Sequence, residues 1–259
     1  MTYTNMAILQ NMITKTYPQE LSYALQAQDI DIDFVVLKDT STNKYAIEHQ
    51  PVSTPFLIVA ISQKDGQGRC GRSFHSAEGG AYFTLQFLTT SKDFTPDKFT
   101  LTAGVAVAKT LHDLPVRLKW PNDIFIGDKK LGGILCSSKP QGEKILVNCG
   151  IGINVNNKVS VDSAACLANY TSIWQPAMLI ACTVKNLINL LEWKKSEVIA
   201  LYKQYSNVLG RKVKIISTDS VYTALAKDIA ENGALIVEKD GELVSIFSGD
   251  VSLLPIKAP

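Results

Sequence analysis

Residues able to do chemistry concentrate first between Ser62 and Phe74, where the chain reads S-Q-K-D-G-Q-G-R-C-G-R-S-F. Gly66, Gly68 and Gly71 permit positive φ and leave backbone amides unscreened by side chains. Arg69 and Arg72 add planar cationic forks that match phosphate or carboxylate oxygens. Such a loop suits an anion, although glycines at a strand end also serve plain turns. A second concentration runs from Arg117 to Leu135, R-L-K-W-P-N-D-I-F-I-G-D-K-K-L-G-G-I-L. Here Lys119, Asn122, Asp123 and Lys130 put a carboxylate and a carboxamide near two ammonium groups. Asp and Asn suit Mg²⁺ and Lys neutralises phosphate, so one reading is a metal-nucleotide site and the other is a set of solvated turn charges. The third feature is Cys149-Gly150-Ile151-Gly152-Ile153-Asn154. Alternating glycines clear one face of a strand, which weakens it unless a ligand or another backbone lies there.

The elements that must carry these residues follow from periodicity and turn chemistry. The apolar run Phe56 to Ile61 is a strand that empties into the glycine loop, and Ala81 to Leu88 is a strand leading back out of it. An earlier strand, Phe34 to Leu37, precedes Ser41-Thr42-Asn43, residues that cap a helix well or offer hydroxyl and amide groups to a ligand above the strand end. Pro96 opens a helix with Phe99, Ala103, Val107 and Leu111 on one face, expected to pack against the sheet. Within Arg117 to Leu135 the pattern predicts two strands joined by a tight turn at Gly127-Asp128. Lys144 to Asn148 is a further strand, and Gln175 to Asn207 is largely helical. From Lys212 the chain changes to short strands, 213–216, 221–225, 234–237 and 243–247, with Asp240-Gly241 as a hairpin turn. The fold expected from these patterns is an α/β domain followed by a small β-barrel. The domains expected are 1–208 and 209–259.

Composition narrows the function classes. The 259 residues are 46% hydrophobic and 19% charged with a net charge of +2, an ordinary globular balance that argues against a nucleic-acid surface driven by bulk charge. Five cysteines, scattered singly at 70, 136, 149, 166 and 182, give neither a disulfide framework nor zinc-site spacing. Reduced thiols and a cytoplasmic location are expected. No export signal or apolar run of membrane-spanning length is found, so no membrane association is expected. About thirty residues precede the first strong strand. They have room for one or two short helices around Tyr17-Pro18, and are too few for a separate helix-turn-helix domain, so no direct DNA binding is expected.

Taken in order, these blocks resemble the biotin protein ligase family, from Asp39 onward. The family's G-R-G-R-x-G-R loop stands as G-Q-G-R-C-G-R from Gly66 to Arg72, its K-W-P-N-D as Lys119 to Asp123, and its K-L-(A/G)-G-I-L as Lys130 to Leu135. Ser41 to Asn43 is the S-T-N triplet, Gly150 to Asn154 the G-x-G-x-N element, and Ser248 to Ser252 the S-G-(E/D)-V-S. The resemblance implies an α/β (α+β) fold, a mixed sheet with helices packed on one face in a class II synthetase-like catalytic domain, followed by a small SH3-like β-barrel, in the group of ligases lacking an N-terminal winged helix. It implies that biotin and ATP, with Mg²⁺, give biotinyl-5′-AMP, and that a lysine of a biotin carboxyl carrier domain then takes the acyl group. A monomer or homodimer is compatible with it.

Residue by residue, the resemblance places biotin against Ser41, Thr42, Asn43, Gln63, Gly66, Gln67, Gly68, Arg69, Lys130, Gly133, Ile134, Gly150 and Gly152. ATP falls to Arg69, Arg72, Lys119, Asn122, Asp123 and Asn154, the metal to Asp123 and Asn154, and catalysis to Arg69, Lys130 and Lys119. The chain departs at Gln67, where the family has its first loop arginine, and at Phe74, where it has tryptophan. One cation fewer in the loop implies a weaker hold on the adenylate. A lipoate or octanoate ligase of the same fold and a non-catalytic biotin-binding module are the rival readings.

Overall fold

The structure is a computed structural model and describes residues 17–49, 51, 53–90, 96–159, 161–216 and 220–254. The first elements among the described residues are helix α1 (Tyr17–Gln26), strand β1 (Asp33–Leu37) and helix α2 (Thr42–Glu48). Strands β2 (Phe56–Ala60) and β3 (Ala81–Thr90) flank the glycine loop, and helix α3 (Pro96–Thr110) follows. Next come β4 (Val116–Lys119), β5 (Asp123–Ile126), β6 (Lys129–Gln141) and β7 (Lys144–Ile153), then helices α4 (Pro176–Leu191) and α5 (Lys195–Tyr205). These strands form one seven-stranded sheet in the order β1-β2-β3-β7-β6-β5-β4, with β1 and β2 parallel and every other pair antiparallel. The sheet is mixed, and α1, α3, α4 and α5 form a helical layer over its apolar face.

The interior strand β3 shows how one sequence serves both faces. Its odd-numbered Phe83, Leu85 and Phe87 join the apolar core, where Phe87 meets Phe99 of α3 edge to face at 5.2 Å. Its even-numbered Thr84 and Gln86 turn the other way and hydrogen-bond to α2. A strand buried on both faces thus keeps the period-2 alternation, with polarity standing in for exposure. Helix α3 departs from the one-faced expectation. Leu101, Val105, Ala106 and Ala108 are as buried as the predicted stripe, because α4 and α5 cover the side that faces away from the sheet.

Two further departures concern the stretch from Arg117 to Leu135. It forms three strands, since Pro121-Asn122 turns the chain between β4 and β5 just as Gly127-Asp128 turns it between β5 and β6. The β5–β6 pairing then shifts register between Ile124 and Phe125, leaving Leu131 as the extra residue on β6. Strict alternation from Gly133 would point Leu131 and Lys130 the wrong way. The bulge lets Leu131 enter the core and Lys130 face the opposite side.

The C-terminal residues form a five-stranded sheet in the order β11-β10-β9-β8-β12, made of β8 (Lys212–Ile216), β9 (Val221–Ile229), β10 (Leu235–Lys239), β11 (Glu242–Ile246) and β12 (Asp250–Leu253). The first four match the predicted runs. β12, built from the S-G-D-V-S stretch, pairs with β8 and was not predicted as a strand. No helix among the described residues is long and apolar enough to cross a membrane.

Candidate active site

Loop geometry, strand ends and the β5–β6 bulge converge on one pocket. Helix α2 delivers Ser41, Thr42 and Asn43 from its N-terminus, where the Ser41 hydroxyl accepts the Lys44 amide as N-cap. Gln63 enters at the end of β2, and Gln67, Gly68, Arg69 and Arg72 come from the loop. The β4–β6 hairpins add Asn122, Asp123 and Lys130, while Gly133, Ile134, Gly150 and Gly152 form the sheet floor.

Two rows of that floor explain the glycines. In one, Thr84, Gly150 and Leu135 stand side by side on β3, β7 and β6. A Cβ on Gly150 would lie 2.3 Å from the Asn43 amide nitrogen, which donates to the Leu135 carbonyl at 3.2 Å. The next row is Tyr82, Gly152 and Gly133, and a Cβ on Gly152 would lie 2.7 Å from the Phe74 ring. The face expected to be clear for a ligand or a backbone is therefore cleared for two of the protein's own side chains, which wall the pocket.

The loop also uses its residues differently from expectation. Of its three glycines only Gly71 takes a positive φ, and the non-glycine Cys70 takes another at 55°. Gly66 is needed for close approach: a Cβ there would lie 2.2 Å from the Phe74 carbonyl oxygen, across the turn closed by the Phe74 amide donating to Gly66. Gly66 thus holds the loop shape and lies outside the pocket lining.

Charge is paired within the site. Asp123 receives Lys130 at 2.5 Å on one oxygen and Lys119 at 3.0 Å on the other. Burial would push the Asp123 carboxyl up, but the Lys130 and Lys119 ammonium groups outweigh it and hold the carboxyl below its ordinary range. Lys119 sits behind Asp123, outside the lining, whereas Lys130 is exposed to the pocket. Arg69 reaches the Asn122 carboxamide oxygen at 3.5 Å, and Asn122 donates in turn to the Ile134 carbonyl at 2.9 Å. Arg72 forms an ion pair with Asp250 of β12.

Asn154 is not brought to this pocket. Its amide donates to the Ala165 carbonyl at 3.0 Å and its oxygen accepts from Asn157 at 3.0 Å, and it lines a second cavity on the far side of Phe74 with His75, Lys130 and Val161. With both Asp123 oxygens on lysines and the Asn154 amide engaged, these two residues do not fit a protein-held Mg²⁺ site. Among the described residues no group of three His, Cys, Asp or Glu side chains is placed to hold a metal ion.

Five lining residues fall outside the candidate site set: Ser73, Phe74, Leu135, Ile151 and Asp250. Asp250 was legible as part of a motif, without a role.

Comparison with known proteins follows the same two parts of the chain. Residues 34–154 match the Biotin/lipoate A/B protein ligase family and residues 208–254 match the Biotin protein ligase C terminal domain. The bifunctional ligase/repressor BirA of Escherichia coli is 27% identical over 229 residues, covering 82% of this chain and 71% of that protein. A biotin protein ligase from Aquifex aeolicus, solved in complex with biotin and ATP, superposes with a TM-score of 0.72 at 28% identity, over 86% of this chain and 98% of that one. A chloroplastic biotin–protein ligase of Arabidopsis thaliana is 45% identical over 128 residues, 45% of this chain and 35% of that protein. With the ligase family model matched at residues 34–154 and the C-terminal model at 208–254, in that order, the chain carries the domain pair of the biotin protein ligases.

Proposed function

We propose that the protein activates biotin with ATP and transfers it to a lysine of a biotin carboxyl carrier domain. The observation that carries this reading is the position of Lys130. The bulge turns its ammonium group into the pocket that Arg69, the α2 N-terminus and the glycine rows enclose. In the first step a biotin carboxylate oxygen bonds to the α-phosphorus, the α–β phosphoanhydride bond breaks, and pyrophosphate leaves. Two anions must meet, so charge neutralisation and alignment dominate the barrier. Lys130 and Arg69 supply cations there, with Asp123 and Lys119 holding Lys130 in place. In the second step the acceptor amine bonds to the acyl carbon, AMP departs with the bonding pair, and the amine releases its proton to solvent. No protein nucleophile is required.

Biotin is assigned to the pocket lined by Ser41, Thr42, Asn43 and Gln63, with the loop from Gln67 to Arg72 closing over the phosphate end. ATP extends past Arg69 and Asn122. Mg²⁺ enters with the nucleotide as part of the substrate, and no step is assigned to it. The catalytic domain ends near residue 208, and the five-stranded C-terminal sheet forms the second domain. Retention of every charged pocket residue except the first loop arginine favours an enzyme over a passive biotin-binding module.

The test is biotin-dependent exchange of pyrophosphate into ATP. Exchange with biotin and none with lipoate or octanoate is expected. Exchange supported by octanoate alone would assign the chain to the lipoate branch, and no exchange would leave a binding module.

A further inference from the structure

We propose that Thr84, a residue outside the pocket, is a positioning residue that fixes the hydrogen-bonding polarity of the biotin-recognition end; this rests on the biotin assignment above. Thr84 lies on β3 with its hydroxyl fully buried, and on the sheet floor it stands beside Gly150, the glycine that makes room for Asn43. Its oxygen is 2.9 Å from the Thr42 hydroxyl and 3.1 Å from the Asn43 carboxamide oxygen. These are the two α2 residues that face the pocket, and both contact this one hydroxyl.

Proton accounting gives the contact its consequence. A threonine hydroxyl has one proton and two acceptor sites. Given to Asn43, the Thr84 proton leaves the Thr42 oxygen with a lone pair for a ligand. Given to Thr42, it leaves the Asn43 oxygen open. In either arrangement one of the two acceptors remains for an N–H donor. The surroundings restrict the alternatives: the Asn43 amide is committed to the Leu135 carbonyl, and the Thr42 backbone amide to Gln63 Oε1 at 2.9 Å. Gln63 is itself held by the Ser76 hydroxyl at 2.7 Å. Biotin carries a cyclic urea with two N–H donors beside one carbonyl acceptor, so a site that fixes which of its own groups accept recognises it better than one with free rotors. Without the Thr84 hydroxyl, whichever buried acceptor takes its proton loses its donor, and the Thr42 hydroxyl keeps only its 3.5 Å contact with Gln63 Oε1 to orient it.

Pyrophosphate exchange by the intact chain, measured for wild type, Thr84→Val and Thr84→Ser, tests this role. Valine keeps the branched shape without the hydroxyl, and serine keeps the hydroxyl. The biotin KM is expected to rise roughly tenfold in Thr84→Val, the loss that one unsatisfied buried partner produces. The ATP KM is expected to stay constant, and Thr84→Ser to return the biotin KM close to wild type. An unchanged biotin KM in Thr84→Val, a parallel rise in both KM values, or failure of serine to restore binding overturns the proposal. Should Thr84→Val not fold, Thr84→Cys, with a weak donor of similar size, replaces it: an intermediate rise in biotin KM supports the role and no rise overturns it. A wild type without biotin-dependent exchange defeats the ligase reading itself, whereas a flat Thr84 series on an active wild type defeats only the positioning role.

Discussion

Asp123 has both carboxylate oxygens occupied by lysines, and that occupancy decides what it does. It orients Lys130 and keeps its charge where burial alone would favour protonation. Removing the ammonium group by Lys130→Ala is expected to slow adenylate formation by at least about a hundredfold, the usual loss for one preorganised charge-stabilising donor. Near wild-type formation at saturating biotin and ATP, followed by pyrophosphate release, would refute the assignment. The same pair predicts a pH dependence. A carboxyl held lower in the folded chain than its ordinary 3.8 contributes stability that is complete above that value and is lost as pH falls through the lowered one. In Asp123→Asn the acid limb of the melting temperature below about pH 4 should therefore be shallower than in wild type; superimposable limbs would exclude this contribution. At this scale the sequence named the cations of the pocket but not their partners. Nothing in the spacing of Arg72 or Asn154 says that one reaches Asp250 and the other closes on Ala165 and Asn157, because long side chains choose partners from the folded surface.

Among the elements, β6 and β7 do most to shape the pocket floor. Their glycines look alike in sequence and serve different ends. Gly150 makes room for the side chain of Asn43, which can swing aside, whereas a Cβ on Gly132 would lie 2.3 Å from the backbone oxygen of Gly152, which cannot. Gly150→Ala is expected to raise the biotin KM about tenfold with a small change in melting temperature, since it displaces one recognition group worth a hydrogen bond. Gly132→Ala is expected to lower the melting temperature by roughly 5 °C, as spreading two paired strands costs a few kcal/mol. Calorimetry and exchange kinetics on both variants check the contrast, and a reversed order would contradict the roles assigned to these two glycines. Strand and helix positions were legible from periodicity because burial repeats along them. The bulge at Leu131 and the all-round burial of α3 were not, since both depend on what packs against the element.

Across the whole molecule, the seven-stranded part of the chain and the C-terminal sheet meet at the site. Trp120, inside the K-W-P-N-D turn, is fully buried and donates its indole N–H to the Gly233 carbonyl at 2.9 Å, a residue in the β9–β10 turn. Arg72 of the glycine loop pairs with Asp250 on β12, exposed to solvent at the pocket rim. The buried tie is the stronger of the two, because screening and side-chain freedom leave an exposed ion pair little net effect. Trp120→Phe keeps the ring and leaves the Gly233 oxygen without its partner, which should cost about 1–3 kcal/mol and lower the melting temperature measurably; an unchanged melting temperature would mean that the C-terminal domain does not brace this turn. The change of pattern at Lys212, where the C-terminal strands begin, was legible in the sequence. The contact between the two parts was not, because it joins residues 113 positions apart. The central claim, ATP-driven attachment of biotin to a carrier lysine, is tested most directly by intact-mass spectrometry of a biotin carboxyl carrier domain incubated with the protein, ATP and biotin. The account predicts a single biotinyl addition on one lysine that disappears without ATP; an unmodified carrier, or one modified by octanoate or lipoate and not by biotin, would contradict it.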